Sequence, residues 1–264
     1  MDTTATTSRW ARLSFSLASV AVFILIYVWA VTTTHGQEFD GSTLALGSQW
    51  REQWGEQSLA RTADLAPWVL VVPAALLLAV TALRGRWKIA LIAAALPVAI
   101  YAIATLLHDY VLPRPYLGDF GYEINTLPSE RLAVAVACCA VMTWLAPRFA
   151  ARAVLVPILA LAAGAVGALE VAAFSSRFAD VVACAPLVGV LAAWWLPTGA
   201  PRSRVLTIAW AVLAAALGTV GAVLMVQWAG ADYDPAAMMP GLIGTALCVA
   251  AGGTALSAFL RRQA

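Results

Sequence analysis

Eight apolar runs divide this chain, and the connectors between them alternate in charge. The runs are Leu13–Val31, Ala66–Leu83, Ile89–Leu107, Leu132–Ala146, Ala153–Phe174, Val181–Leu196, Val205–Trp228 and Leu242–Leu260. A helix needs about 17–25 apolar residues to cross a hydrocarbon core about 30 Å thick. The fourth and sixth runs are short, but Arg131 and Asp180 at their ends can lie in the helix and reach the interface. The pattern predicts an all-α, polytopic transmembrane bundle of about eight helices, forming a single integral membrane domain over residues 1–264. Composition agrees: 62% of residues are hydrophobic and 11% charged, against about 45–50% apolar in soluble domains. The first run has no small-residue cleavage site after it and is expected to remain as an anchor.

Orientation follows from the basic residues, which are retained on the cytoplasmic side. If every run is a span, Arg9 and Arg12, then Arg84, Arg86 and Lys88, then Arg148 and Arg152, then Arg202 and Arg204, then Arg261 and Arg262 share one side. Asp2 joins them, while Glu38, Asp40, Glu52, Glu56, Asp64, Asp109, Asp119, Glu123, Asp232 and Asp234 fall in the opposite loops. Both termini are therefore expected in the cytoplasm. A missed or spurious span would scramble this sorting.

The remaining composition excludes several classes of function. Cys138, Cys139, Cys184 and Cys248 all sit inside expected spans without ligand spacing, so they read as small packing residues. Two histidines, His35 and His108, and scattered carboxylates give no metal-type spacing, and no cofactor is expected. The net charge of +2 is a by-product of anchoring residues, and nucleic acid is not an expected partner. Many of the tryptophans flank the runs, as in an interfacial aromatic belt.

Two outer segments are long enough to hold structure, Thr32–Leu65 and His108–Glu130. In the first, Trp50 and Trp54 share a helical face while Arg51, Glu52 and Glu56 point elsewhere, which suits an interfacial helix or a cap over the bundle. The second is rich in Pro, Gly, Asp and Asn and reads as a loop. In a chain this sparing of polar residues, such a loop is where chemistry is sought.

Three features converge on the outer side: Arg114-Pro115, Pro128-Ser129-Glu130-Arg131 and Ser175-Ser176-Arg177. The fourth and sixth runs begin there, and helix N-termini favour anions. Arg114, Arg131 and Arg177 would add positive charge suited to phosphate oxygens. Arg114, Ser129, Arg131, Ser176 and Arg177 are thus candidate residues for binding phosphate or a lipid phosphate. The bland alternative has Ser129 and Ser176 capping helices and the arginines pairing with Glu130, Glu170 or Asp180. Glu170, inside the fifth run, is costly there and needs a partner; Arg177 is the nearest candidate.

In order and spacing, Arg114-Pro115, Pro128-Ser129 and Ser176-Arg177 resemble the three outward motifs of the membrane-bound type 2 phosphatidic acid phosphatases. The resemblance covers roughly Ile89–Leu196. It implies a six-helix, lipid-phosphatase-like core, about residues 13–196, with an additional C-terminal helix pair at about 205–260. Arg114, Ser129 and Arg177 match family positions that hold the phosphate. The catalytic positions do not match. Where the family has its nucleophilic His stands Ala183, and its orienting Asp is replaced by Leu187. The Gly-His of the second motif is replaced by Glu130-Arg131, and the Lys of the first by Leu107. A phospho-histidine mechanism needs an imidazole nucleophile and a proton donor, so no catalytic residue is assigned. His108 and Glu130 are the possible substitutes.

These readings lead to an expected catalytically inactive, lipid-phosphatase-like membrane protein, acting as an accessory subunit beside other membrane subunits in the lipid bilayer. Gly164, Gly167, Gly218, Gly221, Gly241, Gly244, Gly252 and Gly253 would suit helix-helix faces for such partners or for packing within the chain. The alternatives are a protein that binds lipid or isoprenoid phosphate, and a residual phosphatase on the outer leaflet. Abundant Ala and a preference for Arg over Lys point to a bacterial plasma membrane.

Overall fold

The computed structural model of the chain describes residues 3–119, 124–146, 149–196, 204–230 and 238–260. Arg148, Arg202, Arg261, Arg262, Asp2, Glu123, Asp232 and Asp234, all used in sorting the charges, lie outside the described residues. Regular structure among the described residues is entirely helical. The α-helices are α1 (Thr3–Thr32), α2 (Thr34–Ser42), α3 (Ser48–Trp54), α4 (Glu56–Leu65), α5 (Trp68–Thr81), α6 (Trp87–Leu106), α7 (Glu130–Leu145), α8 (Phe149–Ala172), α9 (Phe178–Val182), α10 (Cys184–Trp195), α11 (Arg204–Gly230) and α12 (Met238–Phe259).

Among the described residues, six helical stretches are long and apolar enough to cross a membrane. One of them, Glu56–Val111, contains α4, α5 and α6. Gly85 breaks it with a left-handed backbone, φ 76°, a conformation that costs glycine nothing. The chain thereby turns between α5 and α6, and both pack against α7. With 16 residues, α7 is too short to count among the six. Its position explains its composition: small side chains such as Ala133, Ala135, Ala137 and Cys138 are buried, so neighbouring helices can close on it from several sides.

α1 packs along α10, where Gly189 admits the Ser19 hydroxyl and the Ser16 hydroxyl points at Val190 O, 3.5 Å away. The C-terminal pair is unequal. α12 packs against α7, α8, α9 and α10, whereas α11 packs chiefly against α12. Glycine permits these approaches. A Cβ on Gly164 would strike the Ala246 carbonyl of α12, and one on Gly221 would come within 2.8 Å of both Gly244 O and Cys248 Sγ. Gly167, Gly241, Gly244, Gly252 and Gly253 likewise face side chains or backbone of this same chain. Of the two uses expected for these glycines, the structure shows packing within the chain.

α2, α3 and α4 form a cap at one end of the bundle. The cap is locked by Arg51, whose guanidinium donates to Leu44 O (2.8 Å), Leu46 O (3.1 Å) and Ala172 O (2.7 Å). The last bond satisfies a terminal carbonyl of α8, a group that otherwise lacks an intrahelical partner. Trp50 and Trp54 stack at 5.7 Å, with Trp50 packed against the core and Trp54 exposed. α3 is therefore part of the cap, one of the two roles its sequence allowed.

Candidate functional site

The polar residues of the loops gather at the capped end of the bundle, around the end of α6 and the starts of α7 and α9. The segment after α6 is tied down by two side chains from the first part of the chain. Tyr27 donates to Pro113 O at 2.8 Å, and Gln37 donates to Val31 O at 2.6 Å and Pro115 O at 2.8 Å. Arg114 is held between these two anchors. Its guanidinium is buried and lies 3.8 Å from Asp40 Oδ2.

Asp40 shares a face of α2 with Gln37 three residues earlier and is wholly buried. Its Oδ1 accepts from Ala179 N at 2.9 Å, and the Thr43 hydroxyl accepts from Phe178 N at 3.1 Å. Asp180 supplies the remaining contacts at this turn: its Oδ2 accepts from Arg177 N (2.7 Å) and from the Thr126 hydroxyl (2.5 Å). The N-terminus of α9 is thus satisfied by the chain's own acidic and hydroxyl groups. Arg177, completely buried, donates to Ile124 O at 3.3 Å. Burial pushes the Asp40 carboxyl up to about 7, helped by the nearby negative charge of Asp180; the Ala179 N–H, Arg177 and Arg114 pull the other way.

The second part of the site is a cavity of about 290 Å³ beside this buried cluster, lined by Asp64, His108, Thr126, Pro128, Ser129, Glu130, Arg131, Glu170, Ser175 and Ser176. Ser129 is the N-cap of α7, accepting from Leu132 N, and its hydroxyl donates to Glu170 Oε2 at 2.6 Å. Ser176 donates to the same oxygen at 3.0 Å. Phe174 makes this convergence possible. Its left-handed backbone, φ 64°, is uncommon for a bulky residue, and it turns the chain so that Ser175 N and Ser176 N bond back to Glu170 O. Arg51 sits over the Phe174 ring, 5.2 Å from its centre. Elsewhere on the wall, His108 lies between Asp109 (2.8 Å) and Glu130 (3.2 Å), Thr105 donates to Glu130 Oε1 at 2.8 Å, and Arg131 pairs with Asp64.

The structure therefore divides the residues expected from the sequence. Ser129, Arg131, Ser176, His108 and Glu130 share the cavity, whereas Arg114 and Arg177 belong to the buried cluster with Asp40 and Asp180. The anticipated meeting of three arginines on one surface is replaced by two pairings across the fold, because Asp40 and Asp64 arrive from the cap. Ser129 caps a helix as expected. Ser176 does not, since the N-cap of α9 is Arg177. Glu170 is held by the two serine hydroxyls.

The positions that align with the catalytic groups of the resembling phosphatases are closed. Ala183 is fully buried in an apolar cluster with Ala30, Val31, Leu127 and Ala179, and Leu187 lies in the main core. Among the described residues, no group of three His, Cys, Asp or Glu is placed to hold a metal ion. Sequence reasoning grouped Asp40 and Asp64 with the general acidity of the outer loops. Only the i, i+3 pairing of Gln37 with Asp40 beside the first run hinted at a buried polar face. Comparison with protein families, with curated proteins and with solved structures finds no match, so the chemistry of the site rests on its own geometry.

Proposed function

We propose that this chain is a non-catalytic, lipid-phosphatase-like integral membrane protein that serves as an accessory or structural subunit of a larger assembly in a bacterial plasma membrane. In this reading eight spans leave both termini in the cytoplasm and the polar end outside. α7, lacking length, spans within the shelter of its neighbours, and α9 with α10 makes one broken span.

The observation that carries the proposal is the position of the Asp40 carboxylate. It lies between the Arg114 guanidinium and the first N–H groups of α9, with Arg177 attracting it. A phosphate would be drawn to that combination of arginine and helix N-terminus. An internal carboxylate now supplies the negative charge, as Glu130 does in the first turn of α7. With Ala183 and Leu187 packed into apolar clusters, this end of the bundle has become a structural ion-pair network. A lipid or isoprenoid phosphate in the outer cavity would have to rely on Arg131, already paired with Asp64, against three carboxylates. A residual phosphatase would require His108 to leave Asp109 and Glu130.

Purification in mild detergent at native expression level tests the subunit role. The protein is expected to co-elute with other membrane proteins in fixed proportion; elution by itself, in a detergent that keeps other complexes whole, would refute it. Incubation with phosphatidic acid or an isoprenoid diphosphate is expected to release no phosphate. Release that disappears on His108→Ala would establish the residual enzyme instead.

A further inference from the structure

We propose that the tip of the α5–α6 hairpin, residues 83–88, docks on the anionic phospholipid headgroups of the leaflet it reaches. The inference needs only that α5 and α6 lie in a membrane, so it is independent of the accessory role. Gly85 makes the tip abrupt. Its φ of 76° ends one helix and lets the next begin, which crowds Arg84, Arg86 and Lys88 around a single turn of chain. Every residue from Leu83 to Lys88 is exposed.

The positive charge of the tip is uncompensated. The sequence has no Asp or Glu between Asp64 and Asp109, and among the described residues no carboxylate pairs with any of the three cations. The first turn of α6 holds no acidic residue, and its N-cap, Arg86, makes no side-chain capping bond. The capped end of the bundle is built differently, since Arg114 and Arg131 there face Asp40 and Asp64 of the same chain. The cations of the tip are left to an external anion.

Apolar neighbours decide which anion. Leu83, just before Arg84, is 87% exposed, and Trp87, between Arg86 and Lys88, is 57% exposed. Lys88 Nζ lies 5.6 Å from the centre of the Trp87 ring, so cation and aromatic share one edge. A soluble phosphate gives such side chains nothing to bury against, whereas a phospholipid sets glycerol and acyl chain beside its phosphate. The level of the tip agrees. Trp195, at the end of α10, donates its indole N–H to Ile92 O at 2.8 Å, and Trp194 beside it is exposed; tryptophans gather in this way at a membrane boundary. At about 1.5 Å per residue, Lys88 and Arg86 lie roughly 6–9 Å beyond Ile92, and their long stems can carry the charge further toward the phosphates. Each cation near an anionic leaflet strengthens association about fivefold, and three together on the order of a hundredfold.

The test reconstitutes the purified protein in nanodiscs of phosphatidylcholine, alone or mixed with phosphatidylglycerol, and reads the thermal unfolding midpoint at low and high sodium chloride. Phosphatidylglycerol is expected to raise the midpoint by several degrees at low salt and much less at high salt, where exposed charges are screened. Arg84→Gln, Arg86→Gln and Lys88→Gln combined should abolish the shift. Arg86→Gln alone, which should reduce it, serves if the triple variant does not fold. Arg61→Gln, at an exposed position of α4, should leave it intact. Equal midpoints in the two lipids, a shift undiminished in both tip variants, or the same gain from inorganic phosphate added to phosphatidylcholine discs would overturn the proposal. So would a protein retained by the wild type and lost by the triple variant without any preference between lipids, which would assign the tip to a protein partner.

Discussion

α7 and α11 are built from the same kinds of residue, yet they occupy opposite environments. Twelve of the 16 residues of α7 are buried within the protein. The most apolar 18-residue window of α11 is only 17% buried, with Val212, Val220, Val223 and Val226 turned outward. In water such an outward face would be a large exposed apolar patch; in lipid it is simply solvated. Apolarity therefore brings both helices into the bundle without ranking them. What ranks them is polar content. α7 begins at the polar cluster, which fixes its N-terminus among the other helices, so it becomes the hub; α11 contributes few polar groups and remains at the rim.

This contrast predicts that damage near α7 and α9 should be far costlier than damage near α11. The most severe test is Arg177→Ala. It would leave Asp40 and Asp180 buried with less positive charge to offset them, and losing one partner of a buried pair costs about 3–5 kcal/mol. The variant should show a sharp loss of monodisperse protein on size exclusion and a much lower unfolding midpoint. Wild-type behaviour would mean that the cluster is solvated and that hub and rim differ less than their burial implies.

A smaller effect tests the rim itself. Gly221→Leu must push α11 away from Gly244 and Cys248 of α12, and overpacking of this kind costs about 1–3 kcal/mol. One turn earlier, a Cβ at Gly218 meets only Ala251 Cβ, at an ordinary 3.5 Å. Gly218→Ala should therefore leave the unfolding midpoint unchanged. Equal sensitivity at both positions would show that α11 and α12 are equally close at both turns, contrary to the room left beside Gly218.

The mildest expectation concerns pH. The Asp40 carboxyl lies near 7 in the folded protein, against about 3.9 in an unfolded chain. The folded state therefore holds the proton more tightly. Its contribution to stability is complete below about pH 4 and is lost as pH rises through about 7. A titration of the unfolding midpoint between pH 4 and 8 should fall for the wild type and fall less steeply in Asp40→Asn, whose amide oxygen can still accept from Ala179 N; burial also raises the Asp180 carboxyl, so part of the slope remains. An identical slope in both would assign the dependence to other groups.

Much of this architecture was legible in the sequence because lipid enforces it. The first run, Leu13–Val31, lies inside α1, and the fourth, Leu132–Ala146, nearly coincides with α7. Most remaining boundaries also fall within a few residues of the observed helices. The break between α9 and α10 at Ala183 was not anticipated, although Pro186, in the first turn of α10, is the kind of residue that marks a helix start. Within the site, Ser129, Ser176, Arg131, His108 and Glu130 line one cavity, since each sits near a helix end on the same side, whereas Arg114 and Arg177, expected with them, lie in the buried cluster beside it. Their partners were hidden. Asp64 reaches Arg131 and Asp40 reaches α9 across 67 and 139 residues respectively, and no local pattern encodes so distant a pairing.

By itself, the sequence determined that the chain is a bundle of membrane helices and that its polar groups concentrate at one end. Those properties follow from residue type and spacing, because hydrocarbon penalises every unsatisfied backbone and charged group regardless of the rest of the fold. Only the tertiary structure decided which helix is central, which carboxylate faces which arginine, and that two serine hydroxyls converge on one oxygen of Glu170. Those are matters of where distant segments meet, and a buried charge takes its character from the groups that surround it in space.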